Sequence, residues 1–212
     1  DAISPVDDAL ISSMPNLKLI HSEGVAFNAI DIASAKRHGV AVCNCAGVNA
    51  GAVAEQAIML MLMCLRRALE GDRAVRSGNQ IRLKEQMMVE GFSELGDCTV
   101  GFVGFGAIAQ ATARYLGPWG CRMVYNKRHP LDAAAEDKLN ARFVPLDDLL
   151  STCDVVSLHV PVTDETRGMV DGAFLDKIKP GAVLVNTARG DIVDQEALAA
   201  ALEAGKIGAA GL

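Results

Sequence analysis

From Thr99 onward, short apolar runs alternate with longer segments whose apolar positions recur every three or four residues. The runs at 100–103, 122–125, 142–144, 155–159, 183–186 and 207–212 predict strands. The segments at 107–116, 132–138, 146–151, 172–178 and 195–204 predict helices. Strands that are apolar on both faces need cover on both, and the intervening helices supply it. The predicted fold class is therefore α/β, a doubly wound parallel sheet. The first quarter carries the pattern once more: a strand at 17–20, a loop through Gly24, a helix at 29–37 and a strand at 40–42. The loop from Asn44 to Asn49 sets Gly and Asn between two periodic segments and reads as a hinge. Residues 1–46 are expected to be part of one α/β domain and 47–212 a second. A helical run over 52–69 is apolar nearly all round its middle, from Ile58 to Leu65, which predicts burial beneath another domain or across a dimer interface. The polar stretch 70–96 has no evident period and is expected to be irregular, wrapping over a surface or a partner.

Composition narrows the partners. Half of the 212 residues are hydrophobic, 22% are charged, and the net charge of −6 comes without a basic stripe. Nucleic acid is not expected as a partner. The most apolar stretch, 52–65, contains Glu55 and is too short for a bilayer, so no membrane is expected either. Six cysteines include no Cys-x-x-Cys, and Cys43-x-Cys45 has no matching pair of ligands, so small buried thiols are expected rather than a metal site. Such usage fits a reducing cytoplasm. Asp1 is not a natural start, which leaves room for a preceding segment.

Two places carry chemistry. Gly104-x-Gly106-x-x-Ala109 stands between a predicted strand and a predicted helix. There Gly104 allows a tight turn, Gly106 lets backbone approach a pyrophosphate, and Ala109 allows close helix packing. About 20 residues later, where NAD-specific domains place an acid on the ribose hydroxyls, the chain reads Asn126-Lys127-Arg128-His129. Two cations there would attract a 2′-phosphate, by up to ~4 kcal/mol per charge pair at ~4 Å before solvation and screening. The expected cofactor is NADP, with NAD as the alternative. The second place is the run 183–186, which ends in Thr187, Ala188, Arg189 and Gly190. Ligands of open α/β sheets bind outside the carboxyl ends of strands. An arginine there suits a carboxylate, whose two oxygens its planar fork can grip; the alternative is a surface arginine in a turn.

Five segments together resemble the D-isomer-specific 2-hydroxyacid dehydrogenase family: residues 24–31, Val53-Ala54-Glu55, Gly104-Phe105-Gly106-Ala107-Ile108, Leu158-His159-Val160-Pro161 with Thr163, Glu165 and Thr166, and residues 186–194. The resemblance implies a Rossmann dinucleotide-binding domain plus part of a flavodoxin-like substrate domain that closes over it. It implies that Arg189 is catalytic, holding the carboxylate and carbonyl oxygen of a small 2-oxoacid and polarising the carbonyl toward hydride attack. The amides of Gly24, Val25 and Ala26 would take the other side of the carboxylate. Cofactor contacts would come from Val53, Gly104, Phe105, Gly106, Ala107, Ile108, Asn126, Lys127, Arg128, His159, Val160, Pro161, Thr166, Thr187 and Ala188. The implied activity is hydride transfer between NAD(P)H and a 2-oxoacid/(R)-2-hydroxyacid pair, of glyoxylate or hydroxypyruvate type, in a homodimer. Some proteins of this fold are instead dinucleotide-sensing corepressors, but no basic face or peptide-binding segment supports that here. A cofactor-binding fragment without catalysis is the third reading. Two departures stand out: Ala26 where glycine is common, and Asn28-Ala29 where Asp-Asn or Asp-His is common. These either narrow the carboxylate pocket or re-cap the following helix, with Asn28 the expected cap. The family's acid–base histidine and its glutamate lie beyond the matched segments. Among His21, His38, His129 and His159 only the last sits at a strand end, on the cofactor side. The chain is thus expected to be the central piece of a longer protein, with a substrate clamp and a cofactor site but no proton donor.

Overall fold

The computed structural model describes residues 4–212. The chain divides into two compact units, Asp1–Gly51 and Ala52–Leu212. In the first, α1 (Asp8–Ser12), β1 (Leu19–Ser22), α2 (Ile32–Arg37) and β2 (Ala41–Asn44) follow in order. β1 and β2 pair in parallel, from Leu19 opposite Ala41 to Ser22 opposite Asn44. Ile11, Ala35 and Val40 close a small core between them. The first strand starts later than expected because Leu17 is held in a turn, its N–H donating to the Met14 carbonyl at 3.0 Å. The helix expected from residue 29 begins only at Ile32, and Asn28 does not cap it. Residues 29–31 are tied down in extended form: the Val6 N–H donates to the Ala29 carbonyl at 2.7 Å and the Asp31 N–H to the Val6 carbonyl at 2.9 Å. Asp31 is the cap, its carboxylate accepting from the Ser34 N–H at 2.8 Å.

The remaining helices are α3 (Ala50–Leu65), α4 (Ala68–Arg76), α5 (Gln80–Glu90), α6 (Ala107–Leu116), α7 (Ala133–Leu139), α8 (Leu146–Thr152), α9 (Gly172–Lys177) and α10 (Gln195–Glu203). The strands are β3 (Thr99–Val103), β4 (Arg122–Asn126), β5 (Ala141–Phe143), β6 (Val155–Leu158), β7 (Val183–Asn186) and β8 (Ala209–Gly211). They form one parallel sheet in the order β5-β4-β3-β6-β7-β8. Its two faces carry separate cores. One packs Met61, Phe102, Leu116, Met123 and Tyr125 with α3 and α6, and the other packs Leu149, Val156, Leu175, Leu184 and Leu198 with α8, α9 and α10. Gly101 permits the second layer to lie flat on β3, since a Cβ there would stand 2.6 Å from the Cys153 sulfur.

Residues 70–96 are helical over most of their length, contrary to expectation. Arg67 sits in the left-handed region (φ 50°) and separates α3 from α4. Its guanidinium clasps Glu70 at 2.6 Å and Glu90 at 2.5 Å, so it gathers the end of α3, the start of α4 and the end of α5. The Arg66 guanidinium lies 4.3 Å over the Phe92 ring. The pattern was illegible because Leu69, Val75, Ile81, Met88 and Val89 stay exposed and line no core. The all-round burial expected of α3 is met on one face only. Ala54, Ala57 and Met61 are fully buried, whereas Met59 is exposed and lines a shallow cleft with Ile58, Leu62 and Met63. Among the described residues no helix is long and apolar enough to cross a membrane.

Candidate functional site

β3 has β4 on one side and β6 on the other, so successive connections leave it in opposite directions and open a crevice at its carboxyl end. The glycine loop fills that position. Gly104 adopts φ +85°, and a Cβ on it would lie 2.6 Å from the His159 carbonyl oxygen and 2.8 Å from Val160 Cγ1. Its N–H donates to the Asn126 carbonyl at 2.9 Å. Gly106 caps α6 without a side chain, and nothing lies within 4 Å of where its Cβ would be. The first-turn N–H groups of Ala107, Ile108 and Ala109 have no partner within the helix and carry its positive end. Open space over such a terminus fits a pyrophosphate. Phe105 points the other way. Its ring is buried and stacks on Tyr125 at 4.2 Å, anchoring the loop from below and leaving only its backbone for a ligand.

The strand across the crevice behaves similarly. The His159 N–H donates to the Val103 carbonyl at 2.7 Å, and its ring Nε2 lies 2.9 Å from the Ser157 hydroxyl beside Phe102. Burial pushes its pKa down to about 4, so the ring is neutral. Val160 is half-buried and Pro161 exposed. The Thr166 hydroxyl donates to the Pro161 carbonyl at 2.5 Å and accepts from the Thr163 N–H at 2.8 Å, so Thr166 shapes this rim and has little left for a ligand.

Beyond β4, the Asn126 amide donates to the Val144 carbonyl at 2.9 Å, which commits one side of that side chain. Lys127 forms no ion pair among the described residues. Arg128 reaches Glu165 at 3.2 Å, with both side chains exposed. Glu165 also accepts from the Thr163 hydroxyl at 2.7 Å; that bond, with Arg128's charge, keeps its carboxyl below the ordinary range. Sequence distance hid this counter-ion, which stands 37 residues from Arg128.

At the end of β7, Asn186 is buried and turns the chain. Its amide donates to the Arg189 carbonyl at 2.8 Å and its oxygen accepts from the Ala188 N–H at 2.9 Å. This side chain was missing from the expected contacts, although an Asn before a turn is itself a turn signal. Arg189 is exposed and forms no ion pair among the described residues; one guanidinium nitrogen donates to the Ala188 carbonyl at 2.6 Å. The neighbouring acid, Asp191, is taken by Arg167. A cleft of about 530 Å³ opens here, lined by Thr187, Ala188, Arg189, Leu198 and Leu202 among others. The Thr187 hydroxyl is buried without a partner among the described residues. An orphaned donor beside a free cation at a strand end fits a polar ligand. Val53 lies half-buried in the first turn of α3.

In the first unit, the turn after β1 is wired through its carbonyls. Gly24 O accepts from the Cys45 N–H at 3.1 Å, Val25 O from the Asn44 amide at 2.8 Å, and Ala26 O from the buried Ser22 hydroxyl at 2.7 Å. Each peptide N–H lies opposite the carbonyl it follows. The N–H groups of Val25, Ala26 and Phe27 therefore face away from these bonds and have no partner among the described residues. Three successive amides are thus free to donate to a ligand. Among the described residues no cluster of three or more Cys, His, Asp or Glu could hold a metal.

Strand order, glycine loop and uncapped helix together define a dinucleotide-binding α/β protein. Residues 58–212 match the model of the D-isomer specific 2-hydroxyacid dehydrogenase NAD binding domain, and the chain belongs to that family. It is 40% identical over 210 residues to a glyoxylate reductase of Thermococcus onnurineus, covering 98% of this chain and 62% of the relative. It is similar in structure to the holo form of Rhodotorula graminis D-mandelate dehydrogenase (TM-score 0.93, 34% identity, 99% of this chain and 62% of that one). A glyoxylate reductase from Paecilomyes thermophila is also similar (TM-score 0.85, 34% identity, 98% and 62%). The chain thus spans about three fifths of the length of these relatives, 62% in each case.

Proposed function

We propose that this chain carries the substrate clamp and cofactor site of an NAD(P)-dependent reductase of small 2-oxoacids. The observation that carries the reading is Arg189, an exposed guanidinium at a strand end whose neighbouring acid is occupied elsewhere. Its fork can donate to a carboxylate oxygen and the adjacent carbonyl oxygen at once. A fixed cation there stabilises negative charge growing on that oxygen more than it stabilises the uncharged carbonyl. Asn186 keeps the turn from reorganising as charge develops, because it bonds both Ala188 and Arg189. The free amides around Gly24, Val25 and Ala26 can donate to a carboxylate in their own right. The dinucleotide, when bound, supplies the hydride. Gly104, Gly106, Ala107 and Ile108 would hold its pyrophosphate through backbone, and Thr187, Ala188 and Val53 would border its nicotinamide. The alkoxide then needs a proton. His159, neutral and engaged with Ser157, is not placed to give one.

The similarity to glyoxylate reductases favours glyoxylate or hydroxypyruvate as substrate. Lys127 and Arg128 favour NADP over NAD. The outward apolar face of α3, continued by α4 and α5, favours a homodimer. The direct test is Arg189→Ala in the intact protein with glyoxylate and NADPH. The expected result is a fall in kcat/KM of about 10²–10³, the worth of one well-placed oxyanion donor. Near wild-type kcat/KM rejects the role given to Arg189.

A further inference from the structure

Cys45 and His21 form a pair that none of the chemistry above uses. The Cys45 sulfur lies 3.3 Å from His21 Nε2. Cys64 is half-exposed but has no histidine beside it among the described residues, and three of the other thiols differ in setting. Cys98, Cys121 and Cys153 are buried, and desolvation raises the pKa of each. Cys45 is half-exposed and Cys43 exposed. Cys45 is also wired to the turn after β1: its own N–H holds the Gly24 carbonyl, and the preceding residue, Asn44, holds that of Val25.

We propose that Cys45 is a peroxide-reactive thiol with His21 as its base, and that its oxidation loosens the anion-binding turn at Gly24–Ala26. The second half rests on the reading of that turn as a carboxylate site. In the reaction His21 takes the thiol proton as the sulfur attacks one peroxide oxygen. The S–O bond forms, the O–O bond breaks, and the leaving hydroxide takes the proton from His21 to become water. Sulfur is oxidised by two electrons to a sulfenic acid, and the hydroperoxide is reduced. The added oxygen sits on the residue whose backbone fixes Gly24, so the turn cannot keep both its carbonyl bonds and the new group in place.

The test is done on the intact protein with hydrogen peroxide, trapping sulfenic acid with dimedone and mapping all six cysteines by mass spectrometry. Cys45 is expected to label before Cys43, and His21→Asn to slow its labelling by about tenfold or more, as for loss of a general base. Oxidised protein is expected to show a KM for glyoxylate raised about tenfold, the worth of one hydrogen bond to a charged group. Cys45→Ser, compared with its own untreated sample, is expected to keep its KM through the same treatment. Labelling no faster than at Cys43, or unchanged in His21→Asn, overturns the reactive pair. Full labelling with an unchanged KM overturns the link to the turn. Absence of any glyoxylate turnover in untreated protein overturns the function proposed above and that link with it, while the labelling rates still decide the thiol.

Discussion

His159 shows how a residue can sit at the crevice beside the glycine loop and act through stability instead. Its pKa is about 4 in the folded chain against 6.5 for a free imidazole. The folded state therefore prefers the neutral ring. The stability this gives is complete above pH 6.5 and is lost as pH falls toward 4, where the unfolded chain binds the proton first. The loss amounts to about 2–3 kcal/mol at roughly 1.4 kcal/mol per pKa unit. Denaturant unfolding at pH 7 and pH 4 is expected to show wild type losing that much more than His159→Gln. An equal loss in both proteins rejects the burial account. Sequence placed His159 at a strand end but could not tell which way the ring turns. That depends on Ser157 and Phe102, one a neighbour on the strand and the other on β3. Arg189 and the glycines were legible because the residue type alone carries their chemistry. Asn186 was less so, since its hydrogen bonds are facts of geometry, as is the missing partner of the Thr187 hydroxyl among the described residues.

Among the elements, the turn after β4 is where the proposed preference for NADP is tested. Its two cations are not equivalent: Arg128 already faces the ionised Glu165, and Lys127 is free of ion pairs among the described residues. Replacing both Lys127 and Arg128 by serine is expected to lower kcat/KM for NADPH by about tenfold to a hundredfold while changing NADH little, the range of one or two screened charge pairs. Parallel steady-state kinetics with the two cofactors read this directly. A wild-type preference for NADH refutes the assignment. The alternating strands and helices from β3 onward were readable because the central strands β3, β6 and β7 are buried on both faces and so are mostly apolar. The α4–α5 pair was not. Its helices bury no residue fully, and the break between α3 and α4 rests on a left-handed arginine held by two glutamates. α4 is amphipathic but short and its apolar face stays uncovered, while α5 carries little apolar period to announce it.

At the scale of the molecule, the apolar positions left uncovered make a prediction about assembly. Met59 and its neighbours on α3 face outward, and α4 and α5 add Leu69, Val75, Ile81 and Met88. Met59→Glu places a charge in the middle of this face. In sedimentation of the intact protein, wild type is expected as a dimer and Met59→Glu as a dimer weakened by at least tenfold in dissociation constant, as for an unpaired charge at an interface. A monomeric wild type removes the proposal.

On the reading proposed above, what the turn at Gly24–Ala26 offers a ligand is amides, and every residue except proline has one. Alanine in place of glycine at position 26 is therefore no loss: Ala26 has no positive φ, and its carbonyl still bonds Ser22. Drift in side chains passes over such a site without trace, so a scan of alanine substitutions would report it as silent. Replacing single amides by esters, which deletes one N–H and keeps the side chain, is the kind of surgery that would find it.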